Sequence, residues 1–221
     1  MPGRKTAAGA PRREPLNKAK IAQAALDYID ANGLEALSTR RLGSELGVEA
    51  MALYRHYPSK EALLDAVAEL LVLQVPVPQQ GPVGWAVRVK DYARAYRGLA
   101  RSHPRAFPLL ATRRFNTPRT LQLLDTLFGE LLSAGFSPPG AVEMFRAVGN
   151  FSHGTALDEL AGLAQKASVA SGAAPARPAA GTLPALARVG PYLTETYFDQ
   201  IFETGLEVLL EGFARRLPAR P

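Results

Sequence analysis

Between Ser38 and Pro58 the chain reads STRRLGSELGVEAMALYRHYP, and this stretch constrains the fold more than any other. Ser38 or Thr39 caps a short helix that turns Leu42 and Leu46 inward. Gly47 breaks it. A second short helix runs from about Glu49 to His56 with Leu53 buried, and Pro58 ends it. Two short helices joined by a glycine turn over about 20 residues make the helix-turn-helix pattern. Its use is to lay one helix in a DNA major groove while the others brace it against the backbone. Here Leu42, Leu46, Val48 and Leu53 join the two helices, which leaves Glu49, Ala50, Met51, Ala52, Tyr54 and Arg55 to face outward or flank the groove.

Helical spacing continues on both sides. Asn17 caps a first helix that places Ile21, Ala25 and Ile29 on one face, and Asn32-Gly33 stops it. Ser59 caps a fourth, with Glu61 in its first turn and a stripe of Leu63, Leu64, Val67, Leu70 and Leu71. The composition of 75–84, VPVPQQGPVG, is that of a linker. Further helices are expected at about 85–102, 104–112, 118–134, 139–164 and 191–216. Period-2 alternation persists nowhere. The chain therefore reads as all-α. A flexible basic arm covers 1–15, a three-helix helix-turn-helix domain 16–62, and a larger helical domain 63–221. Residues 165–184 are small and Pro-rich, and read as a disordered loop within that domain.

Composition narrows the function. The net charge is +6, and Arg4, Lys5, Arg12, Arg13, Lys18 and Lys20 face only Glu14 in the first 20 residues. A basic arm beside a folded module points to nucleic acid, although a solubilising tail has the same composition. Cysteine is absent, which excludes disulfides, thiolate catalysis and Cys-ligated metal. No signal peptide or membrane-length apolar run occurs, so the expected location is cytoplasmic, without a membrane partner. His103, His153, Asp158 and Glu159 lack an accompanying nucleophile elbow, phosphate loop or metal spacing, so an enzyme is not expected. An architectural DNA binder would be basic throughout, whereas the C-terminal part is near-neutral and apolar.

Residues from Leu16 to Leu70, above all LSTRRLGSELGV and ALYRHYPSKEALL, resemble the TetR family of repressors. TRRFNTP, LLSAGFSPPGAVEMFRAVGNF and FETGLEVLLEGFARRL extend the likeness to the tetracycline-repressor branch. The resemblance implies that Thr39, Tyr54, His56 and Lys60 contact phosphate and that Arg40 reaches a base edge, where its fork suits guanine. The reading positions depart from that branch, which has glutamine, proline and threonine where this chain has Ala50, Met51 and Ala52, and tryptophan at Arg55. Loss of the glutamine removes an adenine contact worth about 1–3 kcal/mol of discrimination. A different, still palindromic operator is expected.

The last helix is apolar nearly all round, with Phe202, Leu206, Leu209 and Phe213, and Gly205 admits a close neighbour. The helix at 139–164 behaves similarly through Phe145 and Val148. Two such helices favour a four-helix bundle across a two-fold axis, so these residues are the expected homodimer contacts. Tyr92 and Tyr96 share a helix face and supply both apolar surface and hydroxyls for a ligand pocket. With Phe107, Leu109, Arg113, Leu127, Phe151 and Asp158 they form the expected ligand set, though each also fits ordinary core packing. Several match ligand-contacting positions of the tetracycline branch. That branch binds a drug–magnesium complex through a histidine where this chain has Leu109, so the expected effector is a small, more apolar organic molecule, with no metal or other cofactor. The resulting reading is a repressor that binds its operator as a homodimer and is released when the effector pivots the fourth helix. Activation would use the same DNA module.

Overall fold

A computed structural model describes residues 15–76, 84–113, 117–170, 183–193 and 195–217. Residues 1–14 of the expected arm, 77–83 of the linker, Phe115 and 171–182 of the expected loop lie outside these. The described residues are helical, with no strand among them.

Helix α1 (Lys18–Asn32) begins where Asn17 accepts the backbone N–H of Lys20 at 2.9 Å. It ends at Gly33, whose φ of 88° few other residues tolerate. Ser38, rather than Thr39, caps α2 (Thr39–Leu46), accepting from the Arg41 backbone at 3.2 Å. Gly47 closes α2 in the left-handed conformation, and α3 (Ala50–Tyr54) follows. Ser59 caps α4 (Lys60–Val72). The expected boundary at 62–63 falls inside α4. This helix packs along α1, and its Leu63, Leu64, Val67 and Leu71 are buried in the same core as Ile21, Leu26 and Ile29. That core continues into the second half of the chain through Leu99, Phe107, Leu109, Leu110 and Ala156.

The second half contains α5 (Trp85–Ser102), α6 (Pro118–Ser133), α7 (Pro138–Ala170), α8 (Pro184–Val189) and α9 (Phe198–Ala214). Helix α7 is central and packs on α5, α6 and α9. It runs six residues into the expected loop, because Gln165–Ala170 contains neither glycine nor proline to stop it. The helix expected at 104–112 is a 3-10 turn, Phe107–Ala111, since Pro108 lacks the N–H that an α-helix would use. The helix expected from 191 starts at Phe198, and Gly190-Pro191 instead begins a 3-10 turn.

A ladder of ion pairs fixes α5 against α9. Lys90, Arg94, Arg97 and Arg101 recur along one face of α5. Lys90 reaches Glu207 at 2.7 Å and Arg94 reaches Glu203 at 2.7 Å. Arg97 reaches Asp199 at 2.8 Å, and Arg101 also pairs with Asp199. Both Arg97 and Arg101 also hold the buried Glu159 of α7, so these two guanidinium groups tie α5 to both α7 and α9. These pairs occupy the side of α5 that its tyrosines leave free.

Candidate nucleic-acid interface and effector cavity

The angle between α2 and α3 depends on Gly43. A Cβ there would lie 2.9 Å from the Val48 carbonyl oxygen and 3.3 Å from the Ala50 nitrogen, both immobile backbone atoms. Leu42 and Leu53 are buried at this crossing. The packing brings the Thr39 hydroxyl within 3.3 Å of the Tyr54 phenol, so two groups expected at phosphate stand together across the two helices. Met51 is 69 % exposed, Arg40, Tyr54 and Arg55 are exposed, and Ala50, Ala52, His56 and Lys60 are half-buried. Arg41 is tied to the Ala36 carbonyl at 3.0 Å, whereas Arg40 has no ion-pair partner among the described residues.

Sequence reasoning missed Tyr57. Its hydroxyl donates to the Lys18 carbonyl at 3.0 Å, and the Lys18 ammonium lies 5.9 Å from the ring centroid. This contact pins the start of α1 to the segment after α3. Local periodicity carries no signal for a contact spanning 39 residues.

A cavity of about 660 Å³ opens between α4, α5, α6 and α7. That volume suits a drug-sized organic molecule. Tyr92 and Tyr96 line it from α5, Leu127 and Leu131 from α6, Met144 and Val148 from α7, and Val72 from the end of α4. Arg88 pairs with Glu130 in the wall at 2.6 Å. Burial pushes the Tyr92 phenol up to about 12 and raises Tyr96 further, with a smaller contribution from Tyr92, so both stay protonated. The Tyr96 hydroxyl lies 2.9 Å from Nδ1 of His153, whose pKa burial lowers. The phenol keeps its proton and the imidazole is neutral, so one hydrogen bond joins the two groups, with its donor set by the ring tautomer.

Of the expected ligand residues, Tyr92, Tyr96, Arg113 and Leu127 line the cavity. The others do not. Leu109 turns into the core and its neighbour Leu110 takes the wall position, as the 3-10 turn changes which residue faces inward. Phe107 is fully buried behind the wall, stacked on His153 with 5.1 Å between centroids. Phe151 stacks on Phe202 in the α7–α9 crossing, and Asp158 is exposed on α7. The expected dimer contacts also need correction. Phe202 and Leu206 are buried within the single chain, and Val148 is buried and lines the cavity, so none offers a surface to a second copy. Phe145 packs on Phe128, and Gly205 receives the Phe151 ring. Leu209 and Phe213 are half-buried.

The helix-turn-helix and the cavity each have a counterpart in a family model. Residues 21–67 match the model described as bacterial regulatory proteins, tetR family, and residues 77–217 match the tetracyclin repressor-like C-terminal domain. The chain belongs to the TetR family of transcriptional regulators. It is 32 % identical over 205 residues to the class A tetracycline repressor protein from transposon 1721 of Escherichia coli, covering 89 % of each chain. A possible TetR family transcriptional regulator from Streptomyces coelicolor A3(2) superposes with a TM-score of 0.76 at 35 % identity, covering 90 % of this chain and 99 % of that one. The TetR family protein ActR of Streptomyces coelicolor, in complex with actinorhodin, gives a TM-score of 0.79 at 27 % identity, covering 93 % and 98 %. Among the described residues no helix is long and apolar enough to cross a membrane.

The cavity of this TetR-family chain offers few free oxygen donors. Glu130 is held by Arg88, the Thr120 hydroxyl is bonded to the Thr117 carbonyl, and Asp158 faces away. Among the described residues no three His, Asp or Glu side chains cluster.

Proposed function

We propose that this protein is a ligand-controlled repressor that binds a palindromic operator as a homodimer and leaves it when a small organic effector fills the cavity. The observation that carries this reading is the placement of α4. Its first residue, Lys60, follows directly from the α3 region, and its last, Val72, is in the cavity wall. Any ligand that prefers a shifted α4 also shifts the base on which α2 and α3 sit. Only differential affinity for the two positions of α4 drives such a change.

Phosphate contacts by Thr39, Tyr54, His56 and Lys60 set register and affinity, and Arg40 reads a base edge. Ala50, Met51 and Ala52 offer no polar side chain, so they suit the methyl groups of thymine. Dimerisation is supported by apolar surface left uncovered on α7 and α9. Ile201 is 50 % exposed, Val208 64 % and Val142 42 %. Ile201 and Val208 lie two turns apart on one stripe of α9, so the contact runs through these residues in place of Phe202 and Leu206. A two-fold dimer sets its recognition helices about 34 Å apart, one turn of DNA.

The test is selection of operator DNA from a random library, followed by release with added cavity ligands. A dyad-symmetric site bound by two copies is expected. Enrichment of no site, or of one lacking dyad symmetry, overturns the reading.

A further inference from the structure

We infer that the effector is an organic anion whose acidic oxygens draw Arg113 away from Asp65 of α4. The inference rests on the cavity being the effector site and specifies the chemistry of what enters it. Arg113 is the cavity residue that touches α4 through a charge. Its Nη1 donates to Oδ1 of Asp65 at 2.9 Å and to the Glu61 carbonyl at 3.4 Å. Its Nε is buried and has no acceptor. A guanidinium carries five N–H donors in a planar fork, so a large part of this one is unused. A carboxylate, sulfonate or phenolate fits the unused side and forms charge-assisted bonds there.

The charge of the wall supports an anion. Arg88, Arg113 and Arg146 line the cavity, against Glu130 alone among acids, and Glu130 is already neutralised by Arg88. A cationic ligand would meet Arg146, which has no ion-pair partner among the described residues, and Arg113, whose one carboxylate partner, Asp65, lies outside the cavity wall. A neutral hydrocarbon would leave the Arg113 Nε unsatisfied. A second buried nitrogen without a partner, Nε2 of His153, is also in the cavity wall and faces the same space. The Arg113 Nε–H is a donor in every state and calls for a ligand oxygen.

The geometry also makes the competition winnable. The Asp65 side chain is 54 % exposed and that of Arg113 21 % exposed. A pair this open to water is weak, and Asp65 regains full hydration when released. A ligand anion held against apolar walls is screened less and attracts the guanidinium more strongly. Losing Arg113 removes a clamp from the first two turns of α4, directly after Lys60.

The test uses 8-anilinonaphthalene-1-sulfonate and its uncharged parent, N-phenyl-1-naphthylamine, whose fluorescence rises in apolar sites. The sulfonate is expected to bind the wild-type protein about tenfold more tightly than the amine. Arg113→Gln should abolish that preference and leave the amine within about twofold. Asp65→Asn, which frees the guanidinium without touching the cavity, should tighten the sulfonate severalfold and not the amine. Leu127→Trp, which fills the cavity, should exclude both. Equal affinities in the wild type, a loss in Arg113→Gln shared by both probes, or no response to Asp65→Asn overturns the inference. A wild-type cavity that takes neither probe, or binding that survives Leu127→Trp, instead overturns the reading of the cavity as the effector site.

Discussion

The ring of Phe151 occupies the space that a side chain at position 205 would need. A Cβ built on Gly205 would lie 2.7 Å from Cε2 of Phe151, and the same ring stacks on Phe202 at 5.8 Å. The Phe151 ring, and with it the stack on Phe202, must move before a side chain fits at position 205. Gly205→Ala is expected to destabilise the protein by about 1–3 kcal/mol, as overpacking in a filled core does. Phe151→Leu should recover much of that loss in the double variant, because it removes the clashing atoms. Urea unfolding of the two single variants and the double variant measures the coupling.

Phe151 and Gly205 also mark where sequence reading ends. The pattern of α9, apolar on every side, shows that the helix is buried but not by which partner. The partner of Phe202 and Leu206 is the chain's own α7, so the surface left for a second copy moves to Ile201 and Val208. The helix-turn-helix was legible in detail, since caps, glycine turns and Leu42, Leu46 and Leu53 are all local signals. Tyr92, Tyr96, Arg113 and Leu127 were legible as cavity residues. Leu109 and Phe107 were misplaced because Pro108 converts a helical turn to 3-10 geometry and rotates the wall by one residue. The links from His103 to Asp30, at 2.6 Å, and from Arg113 to Asp65 join residues 73 and 48 positions apart, and no periodicity announces them.

Gly43 makes a sharper prediction about DNA binding. Its neighbours at van der Waals limits are backbone atoms of Val48 and Ala50, so an added methyl must push α3 off α2. Gly43→Ala should cost about 1–3 kcal/mol in stability. It should also weaken operator binding by more than the same stability loss introduced at Leu210, which is buried in the α7–α9 core and outside the cavity wall. Gel-shift titration alongside urea unfolding separates the two effects. Equal losses of binding would show that the α2–α3 angle does not matter.

Arg40 and Lys60 should fail in different ways. Arg40→Ala is expected to relax the preference at one base pair, costing about 1–3 kcal/mol of discrimination there. Lys60→Ala should weaken every sequence alike and reduce the slope of log K against log salt by about 1. Titrations of the selected operator and its single-base variants at several salt concentrations distinguish the two signatures.

Arg97 and Glu159 are both nearly buried, at 6 % and 7 % exposure, with Nε of Arg97 donating to Glu159 at 2.9 Å. Removing Arg97 takes the buried partner from Glu159 and leaves it with Arg101, whose side chain is half exposed. Arg97→Met is therefore expected to cost about 3–5 kcal/mol. The double variant Arg97→Met/Glu159→Gln should recover a large part of this, because it removes the buried charge that has lost its closest guanidinium. Arg101 also reaches Glu159, so recovery smaller than that would show that Arg101 already compensates for the lost partner.

His153 gives the pH prediction. Burial lowers its pKa from the usual 6.5, so the folded protein prefers the neutral ring. As pH falls below that usual value, the unfolded chain takes up a proton before the folded one does, and folding stability decreases. The contribution is full above the unfolded value and is lost as pH drops towards the depressed folded value. His153→Gln removes the titrating ring, and its urea midpoint should vary less between pH 7 and pH 5 than that of the wild type. The same slope in both proteins would place the acid sensitivity on another group. Protonation places a charged ring in this half-buried site, so the cavity wall should loosen over the same pH interval, read as faster amide exchange in α7 around residues 152–156.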